Sequence, residues 1–249
     1  MDSSESEYNQ KRDKAASQSI RCLRDSSAQG SVDTSSGTET SAPTYGTMTD
    51  KRDGQTYYTV VIGTQTWMAE NLNYAVDSSW CYENKTENCT AYGRLYQWAA
   101  AMKLAPEYND ILWGLSDADH QGVCSAGWHM PNNAEWQTLF DFVDANNGDE
   151  GVGRSLKSTV GWETGKFISV GTNRFGFSAL PVGQRLYGKY GELFDFPYEA
   201  SFWSSSQQTG RYSYAYHWVL GNSLGDGDTF YCDGEIRTIA ISVRCLKND

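Results

Sequence analysis

The sequence predicts an α+β domain, and three observations carry that prediction. Two stretches in its first half, residues 92–106 and 130–148, place apolar residues at helical spacing. From Phe175 onward the apolar residues fall instead in short runs broken by Gly, Ser and Pro, which is strand patterning. Helices segregated from strands exclude a βαβ series with a parallel sheet.

The elements follow in order. "YYTVVIG" (Tyr57 to Gly63) followed by "QTWMAENL" reads as a hairpin of β-branched and aromatic residues turning at Gly63-Thr64. In "YGRLYQWAAAMKLAP", Leu95, Trp98, Ala99 and Met102 share one helical face, and Pro106 stands just past the end. In "MPNNAEWQTLFDFVDANNG", Asn132 can cap a helix and Glu135 completes a capping box. Trp136, Leu139, Phe140 and Val143 form its buried stripe, and Asn146-Asn147-Gly148 ends it. The strand-rich half comprises "GFSALPVG", "SFWSSS", "YSYAYHWVL" and "IAISVRCL".

Composition divides the chain near residue 47. The first 46 of the 249 residues hold two aromatics, Tyr8 and Tyr45, and none of the nine tryptophans. Residues 26–46 are rich in Ser, Thr and Gly and read as a flexible linker, because they cannot bury enough apolar surface to offset chain ordering. Residues 47–249 read as one domain. Before the linker, "SIRCLRD" (Ser19 to Asp25) aligns with the terminal "SVRCLKN" through Cys22 on Cys245, so residues 1–25 read as the C-terminal remnant of a preceding repeat. The formal charge of −11 makes nucleic acid and anionic membrane poor partners. No apolar run approaches the roughly 20 residues that span a bilayer, and no signal peptide follows Met1.

Six cysteines in a tryptophan- and glycine-rich chain suggest an oxidising compartment. Without a CxxC pair, and with three scattered histidines, a zinc site is improbable. Cys81 and Cys89 close the polar loop "CYENKTENC" as a local disulfide, and Cys124 is paired with Cys245 in the final strand. The repeat reading then leaves Cys22 and Cys232 unpaired; a bond between those two is the alternative.

The stretches "MTDKRDGQTYYTVVIGTQTWMAENLNY", "YGRLYQWAAAM", "GVCSAGWHMPNNAEWQTLF", "FGFSALPVG", "FWSSS" and "ISVRCLKND" together resemble the Fibrobacter succinogenes major paralogous domain, in family order over 47–249. Ser125 departs from the proline usual before the Gly-Trp step. The "GWHMP…EW" and "WSSS…VRC" elements also resemble domains of the C-type-lectin-like and formylglycine-generating-enzyme fold group. The resemblance implies a C-type-lectin-like fold with two main helices and a short-stranded, mostly antiparallel sheet, in a secreted or cell-surface protein. A signal sequence is expected in the longer parent chain. It supplies no activity.

Three function classes are weighed on chemistry. An enzyme is disfavoured, since no GxSxG elbow, HExxH or phosphate-cradling loop occurs. His129 in "GWHMP" is the best lone acid–base candidate and reads as structural. A binding module is favoured. Between Tyr187 and Tyr216 aromatics interleave with Gly, Ser, Asp and Glu, and flat rings stack on sugar faces while short polar side chains meet the hydroxyls. The ligand-binding candidates are Tyr187, Tyr190, Phe194, Tyr198 and Tyr212. Tyr212 also fits, with Tyr214, Tyr216 and Trp218, the inward face of a strand. Calcium is the third class: Asp226, Asp228 and Asp233, with Glu235, supply hard oxygen ligands among glycines. Their spacing matches no EF-hand, and a solvated acidic loop is the preferred reading, so no cofactor is expected. The sequence therefore points to a non-catalytic extracellular module for carbohydrate adhesion. The alternative is a structural or protein-interaction module without a sugar site.

Overall fold

The computed structural model of the chain describes residues 42–114, 120–163, 169–186, 198–221 and 228–249, with the backbone of 193–194. Residues 1–25, read as a repeat remnant, lie outside it, as does most of the linker. The first strand, β1 (Tyr45–Thr49), starts two residues before the predicted domain boundary. It pairs antiparallel with β2 (Thr56–Ile62), which pairs with β3 (Gln65–Met68) through the predicted turn at Gly63-Thr64.

Next come β4 (Ser79–Trp80), helix α1 (Thr86–Tyr92), β5 (Leu95–Gln97) and a one-turn helix α2 (Trp98–Ala101). Two expectations change here. The polar loop between Cys81 and Cys89 contains most of α1. The helix expected over 92–106 is half strand, because Leu95, Tyr96 and Gln97 are buried between β4 and β12, all three pairing with β12 and the first two also with β4. Ladder pairing on both sides overrides the local helical spacing. Pro106 opens a 3-10 turn (Pro106–Asn109).

After β6 (Trp128–His129), helix α3 (Asn133–Asn146) carries the capping box and the end its sequence predicts, and three of the four residues of its stripe are buried. The Asn132 side chain accepts from the Glu135 amide, and the Glu135 carboxylate accepts from the Asn132 amide. Trp136, Leu139 and Val143 are buried, with Phe140 packed partly exposed beside them. A short helix α4 (Val152–Leu156) follows.

The second half is built on β9 (Glu199–Gln207), β10 (Tyr214–Gly221) and β11 (Thr229–Ile236), with the short strands β7 (Gln184–Arg185), β8 (Leu193–Phe194), β12 (Ala240–Ser242) and β13 (Leu246–Lys247). "GFSALPVG" forms no strand of its own; Ala179 and Gly183 make only isolated bridges. Its carbonyls instead receive Arg244 (below).

Two sheets result. One runs β1-β2-β3-β13-β6, and the other runs β11-β10-β9-β12-β5-β4 with β7 and β8 beside β12. Among the described strands, pairing is antiparallel except between β12 and β9, so the fold is α+β with one mixed sheet. Trp136 joins the two. Its ring lies 4.6 Å from Trp67 of β3 and 5.6 Å from Phe202 of β9, centroid to centroid, and is stacked at 6.3 Å on Trp218 of β10.

The chain crosses between the sheets at Val243–Cys245. The Val243 carbonyl accepts from the Leu72 amide and the Cys245 carbonyl from the Met68 amide. Both expected disulfides, Cys81–Cys89 and Cys124–Cys245, are present. Cys232 is disulfide-bonded too, which overturns the reading that left it unpaired; its partner lies outside the described residues.

Candidate functional site

A cleft of about 510 Å³ opens between the β1–β3 sheet, α1 and the loops at 158–160 and 173–180. Strand alternation supplies its first wall. On β2, Tyr57 points into the core and Tyr58 points out, leaving Tyr58 57% exposed. Tyr45 of β1, 40% exposed, meets Tyr58 edge-on at 6.0 Å. Tyr92, the last residue of α1, lines the opposite side. The Cys81–Cys89 bond spans most of α1, and Cys89 itself lines the cleft.

Amides and one carboxylate make up much of the rest. Asn73 and Gln55 are joined at 3.3 Å, and the Asn73 amide N–H donates to the Tyr57 hydroxyl at 3.1 Å. Burial pushes the Tyr57 phenol up to about 12. The Tyr58 amide donates to Glu70 Oε2 at 2.6 Å. Asn173 donates to the Tyr45 hydroxyl and to Ser178 Oγ, at 3.0 and 2.8 Å. Asn173 and Ser178 both hold positive φ, 50° and 55°, a strained backbone for residues with a Cβ.

The buried floor explains why these groups stay in place. Asn71 donates to the Tyr92 carbonyl at 2.9 Å and accepts from Arg244 Nε at 2.7 Å. The guanidinium also donates to the carbonyls of Met68, Phe177 and Ser178 and lies over the Phe177 ring. Among the described residues no carboxylate forms an ion pair with it, and burial lowers it to about 9. Gly93 is required beside it. With φ at +75°, its missing Cβ would stand 2.6 Å from that of Asn71.

The residues expected to bind ligand are distributed otherwise. Tyr187 and Tyr190 lie outside the described residues, and of Phe194 only the backbone, in β8, is described. Tyr198 is 42% exposed just before β9, and Tyr212 is 62% exposed in the turn after it. Nine strand residues, about 30 Å of extended chain, separate them, so the structure does not bring the two together. The Tyr198 hydroxyl bonds the exposed Glu163, which raises it. Of the strand series, Trp218 is buried in the core, and a bulge between Ala215 and His217 breaks the period-two pattern.

The acidic candidates also separate. Asp226 lies outside the described residues. Asp228 accepts from the buried Lys157 at 2.9 Å and from Ser169 at 2.6 Å. Asp233 is five residues along β11, about 16 Å away in extended chain, and accepts from the Gly234 amide. No three His, Cys, Asp or Glu side chains converge among the described residues. His129 is held at both ring nitrogens, by Asn248 and Glu135, each at 2.8 Å.

The lining residues are not evident in the sequence because six separate segments contribute them. One signal was present: "ENLN" (Glu70 to Asn73) is a run of carboxylate and amides directly after a buried strand.

Comparison with known families rests on this framework. The model of the Fibrobacter succinogenes major domain matches residues 60–247. The chain belongs to that family. No curated protein and no solved structure matches it. The matched region contains Glu70, Asn71, Tyr92 and Arg244, whereas Tyr45 and Tyr58 precede it.

Proposed function

We propose that this Fibrobacter succinogenes major domain is a non-catalytic module of an extracellular or outer-surface protein that holds carbohydrate in the tyrosine-walled cleft. The observation that carries the reading is the pairing of the exposed rings of Tyr45 and Tyr58 and the half-buried ring of Tyr92 with the side chains of Gln55, Glu70, Asn73 and Asn173 in one concavity. Rings present flat apolar area to a sugar face, and amides both donate and accept toward hydroxyls. The volume lies within the range of small-ligand sites, about 300–1,000 Å³. The disulfides fit an oxidising location.

The fold reads as C-type-lectin-like. In its support, β1 and β13, near the two ends of the domain, share one sheet, and a disulfide fastens the chain just before β13.

Affinity electrophoresis against soluble glycans tests the binding. Tyr58→Ala and Tyr92→Ala are each expected to weaken retention roughly tenfold, the equivalent of about 1.4 kcal/mol. A folded wild-type domain that no glycan retards would overturn the proposal.

One observation favours a second reading, a protein-interaction module of a surface assembly. Strand β1 ends its sheet with an edge that no described strand pairs, and four of its five residues are exposed. Such edges accept an added strand. Glycan-independent association in solution would support it.

A further inference from the structure

The charge of the cleft narrows its ligand further. No Lys, Arg or His stands among the lining residues described, and the one ionisable carboxylate there is Glu70. Its Oε2 is committed to the Tyr58 amide, and the residue as a whole is exposed at the cleft surface.

We infer that the cleft takes neutral glycans and that Glu70 is the residue excluding acidic ones, a deepening that rests on the carbohydrate reading above. A uronic acid seated there would bring its carboxylate beside that of Glu70 with no cation to pair with it. Like charges drawn together out of water repel, and the partly enclosed site strengthens the repulsion. The formal charge of −11 adds a longer-range field of the same sign, which salt screens over about 8 Å at physiological strength. A neutral sugar meets neither penalty. Its hydroxyls can donate to the Glu70 carboxylate, a charge-assisted contact.

The nearest cation is Arg244, on which the Glu70 charge acts. That guanidinium is fully buried, however, and its donors go to Asn71 and three carbonyls. Buried beneath the floor, it is not placed to pair with a ligand carboxylate.

The test compares cellohexaose and xylohexaose with a galacturonic acid hexamer by isothermal titration, on wild type, Glu70→Gln and Tyr58→Ala. Glutamine retains the acceptor for the Tyr58 amide, so the variant removes charge while leaving the hydrogen bond. The expected result is a neutral hexamer bound at least roughly tenfold tighter than the acidic one, with the gap narrowing several-fold in Glu70→Gln. Equal binding of both, lost together in Tyr58→Ala, would overturn this inference and leave the cleft reading standing. A gap unchanged in Glu70→Gln would remove Glu70 from the role. Binding of neither hexamer by a folded wild type would overturn both.

Discussion

The cleft and the β9–β10 hairpin both expose tyrosine, and they do so in opposite ways. At the cleft, Tyr45 and Tyr58 sit on paired neighbouring strands, Tyr92 comes from a helix further along the chain, and all three face one cavity. On the hairpin, Tyr198 and Tyr212 are separated by about as much chain as Tyr45 and Tyr58, yet stand at opposite ends of a nine-residue strand. An extended strand carries neighbours apart at about 3.3 Å per residue, while sheet pairing draws distant residues together. Density of aromatics along the chain is therefore a poor guide to an aromatic surface. The two regions also differ underneath. The cleft rests on Arg244, four of whose five N–H groups are hydrogen-bonded, whereas the hairpin buries His217, whose Nδ1 has no hydrogen-bond partner among the described residues.

If the cleft side is the better tied, the largest loss should follow from cutting its tie. Cys124–Cys245 closes a separation of 121 residues and holds the segment that carries Arg244. Cys245→Ser is expected to cost about 4–5 kcal/mol in urea denaturation, on the loop-closure model. A cost under about 1 kcal/mol would break the contrast. On the hairpin side, Cys232 of β11 is bonded beyond the described residues, and Cys22 is the remaining cysteine of the six. Peptide mapping without reduction is expected to recover Cys22 and Cys232 joined. A Cys232–Cys232 pair between two copies would refute that.

Much of this frame was legible in the sequence, for local reasons. The α3 capping box, the β2–β3 turn and the Cys81–Cys89 loop each depend on residues within a few positions of one another. Leu95–Gln97 was misjudged because its burial comes from β4 and β12, and β12 lies more than 140 residues downstream in the chain. The cleft was illegible for the same reason: Tyr45 meets Ser178 and Asn71 meets Arg244 only once both sheets have closed.

Next in size is an acid effect confined to the hairpin. Burial lowers His217 from the usual 6.5 to about 3. Between those values the unfolded chain binds a proton that the folded chain refuses. Its contribution is thus fully present above about pH 6.5 and is lost as the pH falls toward 3. The loss should reach about 3 kcal/mol by pH 4. In His217→Phe, stability measured across the same range should lose that part of its slope. An unchanged slope would place the acid sensitivity elsewhere.

The smallest effect is the most discriminating. Tyr198→Ala combined with Tyr212→Ala removes the two hairpin tyrosines that stand clear of the core. Tyr198 bonds only the exposed Glu163 among the contacts described, and Tyr212 occupies a turn tip. Exposed substitutions away from caps, cores and networks scarcely move stability, so the denaturation midpoint should stay where it is. Retention on glycan should stay as well, because neither ring borders the cleft. Were the double variant to lose retention while Tyr58→Ala kept it, the hairpin would be the binding surface. The amide-lined cleft would then be a feature of folding, its side chains fixed to hold the crossing at Arg244.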